Sequence, residues 1–184
     1  MKRLLTCLVI SGGLLATPVW AALKPGDMAP LFTAQAAVGG KDFTFSLSEA
    51  LKKGPVVLYF YPKSVTKVCT LEAHQFAEAA ASFAKAGVTL IGMSRDTIET
   101  QREFSTKECR DKFPVAADPE LSVIRAYDAV SAHRLPSGEA MADRISYVIA
   151  PDGKIVYSYS DPMADKHIEN TLAFVRRWHQ QHKG

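Results

Sequence analysis

Val56, Val57, Leu58, Tyr59, Phe60 and Tyr61 form an unbroken apolar run that stops at Pro62. A strand with one face in water alternates polar and apolar side chains, so a run without alternation predicts a central strand covered on both faces. The rest of the chain must then supply strands for its two edges and helices for its two faces. A short polar loop follows Pro62, and Cys69 opens an alanine-rich stretch with Ala73, Phe76, Ala80 and Phe83 at spacings of three and four. This spacing predicts a helix over 69–85, ended by Gly87, with Cys69 on its inward stripe and only partly open to solvent. A thiol is thereby placed in the first turn of a helix, just past a buried strand. Backbone N–H groups are unpaired there and the helix dipole favours negative charge, which stabilises a thiolate. The thiolate is the nucleophile of sulfur chemistry, so Cys69 is the candidate reacting residue.

Residues 31–36 and 42–46 flank Gly39 and Gly40, predicting an N-terminal β-hairpin. A short helix over 46–51 ends near Gly54 and Pro55, and 88–93 is a second strand of the buried type. Asp96 with Glu99 three residues on reads as the capping box of a helix running to about Cys109. Residues 113–117 predict a short strand and 121–127 a short helix. Residues 144–150 and 154–159 flank Pro151, Asp152 and Gly153, a strong hairpin signal. An amphipathic helix over 164–179, with Ile168, Leu172 and Val175 inward, closes the chain. The plan is α/β, a central mixed β-sheet flanked by helices, and it matches a thioredoxin-like fold.

The chain has 184 residues, 47% of them hydrophobic, enough for one domain with a real core. Its first 21 residues read as a signal peptide: Lys2 and Arg3 are followed by an apolar stretch, then by Pro18 and a small-residue cleavage site ending at Ala21. Residues 22–184 are then the folded domain. The expected location is periplasmic or secreted, or membrane-anchored if the leader is uncleaved. Loss of Lys2 and Arg3 lowers the formal charge from +3 to +1, which gives no ground for nucleic acid or an anionic membrane as partner. Cys7 lies within the leader, which leaves Cys69 and Cys109 for an oxidising compartment, where a structural disulfide is an ordinary outcome.

Thiol–disulfide exchangers of this fold use two cysteines three residues apart. The residue three before Cys69 is Thr66, which removes that chemistry and leaves a hydroxyl one helical turn from a thiolate. Pro62, Thr66 and Cys69, in the spacing Pro-x-x-x-Thr-x-x-Cys, have the residue types of the peroxiredoxin active-site motif. The context from about Pro25 to Ile155 resembles the bacterioferritin-comigratory-protein (PrxQ) subfamily of the AhpC/TSA-like family. That context includes residues 25–32, 57–63, 69–73, 92–96, Phe113 and Pro114 with Asp118, and 151–153.

The resemblance implies a thiol peroxidase that reduces hydrogen peroxide and organic hydroperoxides. Cys69 would be oxidised to a sulfenic acid, with Thr66 orienting the peroxide and Pro62 shielding the thiolate. Arg144 would stabilise the negative charge, and Glu72 would organise the site from behind. It implies no cofactor and no metal. A thioredoxin-like or glutaredoxin-like thiol protein would be the reductant, and the protein a monomer or weak dimer.

Three positions, in two places, depart from the subfamily. Lys67 and Val68 fill a loop where glycine or proline is usual, and His74 stands where many members carry a resolving cysteine. Either an outside thiol reduces Cys69 directly or Cys109 resolves it. The alternative from another class is a partner-binding or redox-sensing protein of the same fold, with a Cys69–Cys109 disulfide and no turnover. His133, His167, His179 and His182 are scattered and make no metal pair.

Overall fold

A computed structural model describes residues 22–182; the leader expected over 1–21, with Cys7, lies outside them. The elements are β1 (Thr33–Val38), β2 (Lys41–Ser46), α1 (Leu47–Leu51), β3 (Val56–Phe60), α2 (Lys67–Lys85), β4 (Thr89–Ser94) and α3 (Ile98–Lys107). They continue as β5 (Val115–Ala117), α4 (Ser122–Ala126), β6 (Val130–Arg134), β7 (Ala140–Ala142), β8 (Ile145–Ile149), β9 (Ile155–Ser160) and α5 (Asp165–Gln181).

The seven-stranded sheet runs β2-β1-β5-β4-β3-β8-β9. Strands β3, β4 and β5 are parallel, and the outer pairs β1–β2, β1–β5, β3–β8 and β8–β9 are antiparallel. The apolar run is accounted for by what covers it. Val56, Leu58 and Phe60 pack into one core with Leu47 and Leu51 of α1 and Ile124 of α4. Val57 and Tyr59 pack into the other, with Phe76 and Phe83 of α2, Phe104 of α3 and Val175 of α5. Each apolar side chain buried in this way stabilises the fold by about 1.5–3 kcal/mol. All five residues of β3 are buried because both faces are roofed, so no position could be polar.

Several details differ from the sequence expectation. The first hairpin begins at Thr33, and Leu31 is two-thirds exposed. Helix α2 begins at Lys67, with Thr66 as N-cap, and its buried stripe passes through Ala77, with Ala80 only half-buried. It stops where Gly87 takes a φ of +71°, a conformation an L side chain resists. Helix α3 is capped by Thr97, whose hydroxyl accepts from the Thr100 N–H; Asp96 is engaged elsewhere. It also ends at Lys107, so Cys109 lies past it in a turn. The sequence reading contained no β6–β7 hairpin. This small separate sheet is held to the body by Arg95, which donates to the Ala140 carbonyl at 2.8 Å.

Candidate active site

The site begins where β3 ends. The loop from Tyr61 to Thr66 leaves the centre of the sheet and is tied down by buried polar groups. The Ser64 N–H donates to Asp96 Oδ2 at 2.7 Å, and the Ser94 hydroxyl donates to the same oxygen at 2.7 Å. The Tyr61 hydroxyl donates to Gln101 Oε1 at 2.7 Å. The Gln101 amide nitrogen donates to Ser94 Oγ at 2.8 Å and to the Ala116 carbonyl at 3.1 Å. Between these anchors the chain turns sharply at Val65, whose φ of +62° is rare for a β-branched residue.

Thr66 then starts α2. Its side chain makes no cap to the helix; the hydroxyl donates to the Lys63 carbonyl at 3.1 Å. With its proton committed there, the hydroxyl oxygen of this exposed residue keeps lone pairs free to accept. Cys69 is the third helical residue, and no acid stands in that first turn. Cys69 is 3% exposed, more enclosed than the sequence reading had it, while Val68 and Leu71 beside it stand out into solvent. Pro62 is half-buried at the head of the loop and Lys67 is exposed.

Strand β8 lies antiparallel to β3, with Phe60 opposite Ile145, so Arg144 comes next to the end of β3. Its guanidinium is buried and each nitrogen has one partner. Nη2 donates to Cys69 Sγ at 3.4 Å, Nε donates to the Pro162 carbonyl at 3.1 Å, and Nη1 donates to Glu72 Oε2. Two of these contacts fix the plane of the guanidinium, and the third aims it at sulfur. Glu72 is fully buried and its Oε1 has no hydrogen-bond partner. Burial pushes its carboxyl up to about 8, against the charge and hydrogen bond of Arg144.

Cys69 and Cys109 are both unbonded and buried, and they belong to one core cluster with Tyr59, Tyr61, Phe76, Phe104 and Phe113. Burial, with the carboxylates of Glu108 and Asp111, raises the Cys109 thiol far above the usual range, so it is held protonated. His74 bridges to Glu108 at 2.8 Å, tying α2 to the residue before Cys109. The turn that follows has two successive left-handed residues, Arg110 and Asp111. Among the described residues no group of three or more His, Cys, Asp or Glu is placed to hold a metal ion.

The structure thus brings together Cys69, Arg144 and Glu72 by direct contact, with Thr66 one turn away and Pro62 heading the loop. Cys109 lies in the core behind them. Sequence reasoning missed Ser64, Gln101 and the true task of Asp96. The bonds that bring them to the loop, Ser64 to Asp96 and Tyr61 to Gln101, span 32 and 40 residues, and no local pattern encodes them.

Comparison with known proteins gives the family. The AhpC/TSA family model matches residues 25–158. Peroxiredoxin Q of Gentiana triflora, a chloroplastic protein, is 32% identical over 159 residues, covering 86% of this chain and 69% of that protein. Peroxiredoxin Bcp of Xanthomonas campestris pv. campestris is 28% identical over 122 residues, covering 66% of this chain and 76% of that protein. Among solved structures, peroxidoxin BcpB of Mycobacterium tuberculosis superposes with a TM-score of 0.74 at 30% identity, over 84% of this chain and 97% of that one. The chain belongs to the AhpC/TSA family, as a peroxiredoxin of the Bcp/PrxQ type.

Proposed function

We propose that the protein is a thiol peroxidase in which the Cys69 thiolate attacks the terminal oxygen of a hydroperoxide. The observation that carries this reading is the Arg144 guanidinium held on Cys69 Sγ by Glu72 and Pro162. The O–O bond breaks as the S–O bond forms. The leaving oxygen takes a proton and departs as water or an alcohol, and Cys69 becomes a sulfenic acid. Arg144 stabilises the negative charge before and during attack. The Thr66 oxygen accepts from the O–H of the hydroperoxide and so orients it, because its own proton is spent on Lys63. Pro62 closes the solvent side of the loop.

In the second step Cys109 attacks the sulfenic sulfur, a Cys69–Cys109 disulfide forms and water leaves. Cys109 is buried and protonated, so this step requires the turn after α3 to open and release it. An external thiol protein then reduces the disulfide. The alternative is direct reduction of the sulfenic acid by that outside thiol, favoured by His74 at the position where a resolving cysteine is common.

We assign the work to the periplasm or the cell exterior on the strength of the leader-like residues 1–21. No helix among the described residues is long and apolar enough to cross a membrane.

Treatment with one equivalent of peroxide, followed by non-reducing peptide mass spectrometry, tests both steps. A Cys69–Cys109 peptide is expected. A persistent sulfenic acid, or a disulfide only between chains, removes Cys109 as resolver. An unoxidised Cys69, or peroxide consumption unchanged by Cys69→Ser, removes the peroxidase reading.

A further inference from the structure

His167 has no part in the chemistry above, yet its ring is fully buried in the first turn of α5 and both nitrogens are engaged. Nε2 lies 2.9 Å from the Asp161 carbonyl, and Nδ1 lies 2.8 Å from Ser146 Oγ. A carbonyl only accepts, so Nε2 carries the proton, and in the neutral ring Nδ1 accepts from the Ser146 hydroxyl. Burial pushes protonation of the ring down to about 4; the hydrogen bond to Asp161 opposes the shift and the Arg144 charge adds to it. The ring is therefore neutral at neutral pH, with its tautomer set by its partners.

Both partners belong to the surroundings of Arg144. Ser146 is two residues along β8 from it. Asp161 donates its N–H to the Arg144 carbonyl at 3.4 Å, and the next residue, Pro162, offers the carbonyl that receives Arg144 Nε at 3.1 Å. The Asp161 carboxylate closes the turn, accepting from the Met163 N–H at 2.7 Å and from the Tyr159 hydroxyl at 3.5 Å. The Tyr159 ring stands edge-on to the imidazole, with centroids 4.9 Å apart. The Asp161 and Pro162 peptides are adjacent, so fixing one carbonyl constrains the direction of the other.

We propose that His167 is a positioning residue for Arg144. Its Nε2–H holds the Asp161 carbonyl and sets the turn over 161–163. That turn aims the Pro162 carbonyl, which orients the guanidinium against Cys69. This role rests on the peroxidase reading above, and it separates two substitutions that a purely space-filling histidine would not. In H167Q the amide nitrogen reaches the place of Nε2 and keeps the donor to Asp161. In H167N the side-chain oxygen reaches the place of Nδ1 and the donor is lost.

The test is the single-turnover rate of Cys69 sulfenic acid formation with hydrogen peroxide, together with the thiolate ultraviolet absorbance at neutral pH, in the full chain. H167N is expected to lower the rate by about threefold to about tenfold, the worth of one neutral hydrogen bond. Its thiolate signal falls as well. H167Q recovers most of both. Equal losses in the two variants, or no loss in either, overturn the positioning role. If H167N does not fold, Ser146→Ala takes its place: it is expected to slow the reaction by about threefold or more, and an unchanged rate overturns the role. A parent protein whose Cys69 does not react with peroxide overturns the peroxidase reading itself, a different outcome from a reactive parent matched by H167N.

Discussion

Arg144→Gln removes the cation in contact with the Cys69 sulfur while keeping a polar side chain of similar reach. The lost interaction can be sized from the 3.4 Å between Nη2 and Sγ. Unit charges at that separation in an effective dielectric of about 20 attract by about 5 kcal/mol. Glu72 is hydrogen-bonded to the same guanidinium and competes for its charge, so this figure is the upper end of the interaction. The loss does not pass wholly into the rate, since a less stabilised thiolate is intrinsically more nucleophilic, with a Brønsted coefficient of about 0.4–0.5. About half remains, which corresponds to a rate lower by about a hundredfold.

The assay is single-turnover oxidation of Cys69 in a Cys109→Ala background, with the sulfenic acid trapped by dimedone and followed by intact mass. Arg144→Lys keeps the charge but not the fork that reaches sulfur, Glu72 and Pro162 together, so it falls between parent and Arg144→Gln. The double variant Arg144→Gln/Glu72→Gln controls for a buried carboxyl left without its cation. It is expected to fold at least as well as Arg144→Gln and to react just as slowly. An Arg144→Gln protein within about threefold of the parent, well short of the energy worked out above, refutes the electrostatic argument.

Glu72→Gln is expected to become progressively more stable than the parent as pH rises. Between the ordinary value of 4.5 and about 8 the native state holds the Glu72 proton while the unfolded chain has released it, so parent stability falls through that window. The gap grows to a few kcal/mol at about pH 8, read from urea midpoints at the two ends of the window; a constant gap contradicts the burial of an ionisable Glu72. Gly92→Ala places a methyl 2.7 Å from Cζ of Tyr59, whose ring is already stacked on Phe76 at 4.3 Å and cannot withdraw. A loss of about 1–3 kcal/mol is expected in thermal melts, recovered in Gly92→Ala/Tyr59→Leu; a Gly92→Ala protein as stable as the parent refutes the contact.

Much of the scaffold is written locally. The unalternating 56–60 run, the positive φ required at Gly87 and the turn at Pro151, Asp152 and Gly153 each arise from neighbours in sequence. The place of Cys69 follows from the strand and helix on either side of it. Legibility fails where a side chain's partner is distant. Asp96 has the spacing of a helix cap, yet its carboxylate is taken by Ser64 and Ser94, and Thr97 caps the helix instead. His167 looked like one of several scattered histidines because its two partners lie in β8 and in the turn before α5. The β6–β7 hairpin was missed because strands of five and three residues carry too little periodicity. Pro136, Ser137 and Gly138 between them were the available turn signal.

The pairing of β3 with β8 sets a tolerance on the site. Cys69 is carried by the chain leaving Phe60, and Arg144 stands one residue before Ile145, the partner of Phe60. Strand register moves only in whole residues. A slip of one displaces Arg144 by about 3.3 Å and turns its side chain to the opposite face of the sheet. Register alone offers no intermediate setting in which the guanidinium sits slightly too far from sulfur. Damage to this sheet therefore subtracts competent molecules and does not weaken each of them, and residual activity in a destabilised preparation counts the fraction still in register.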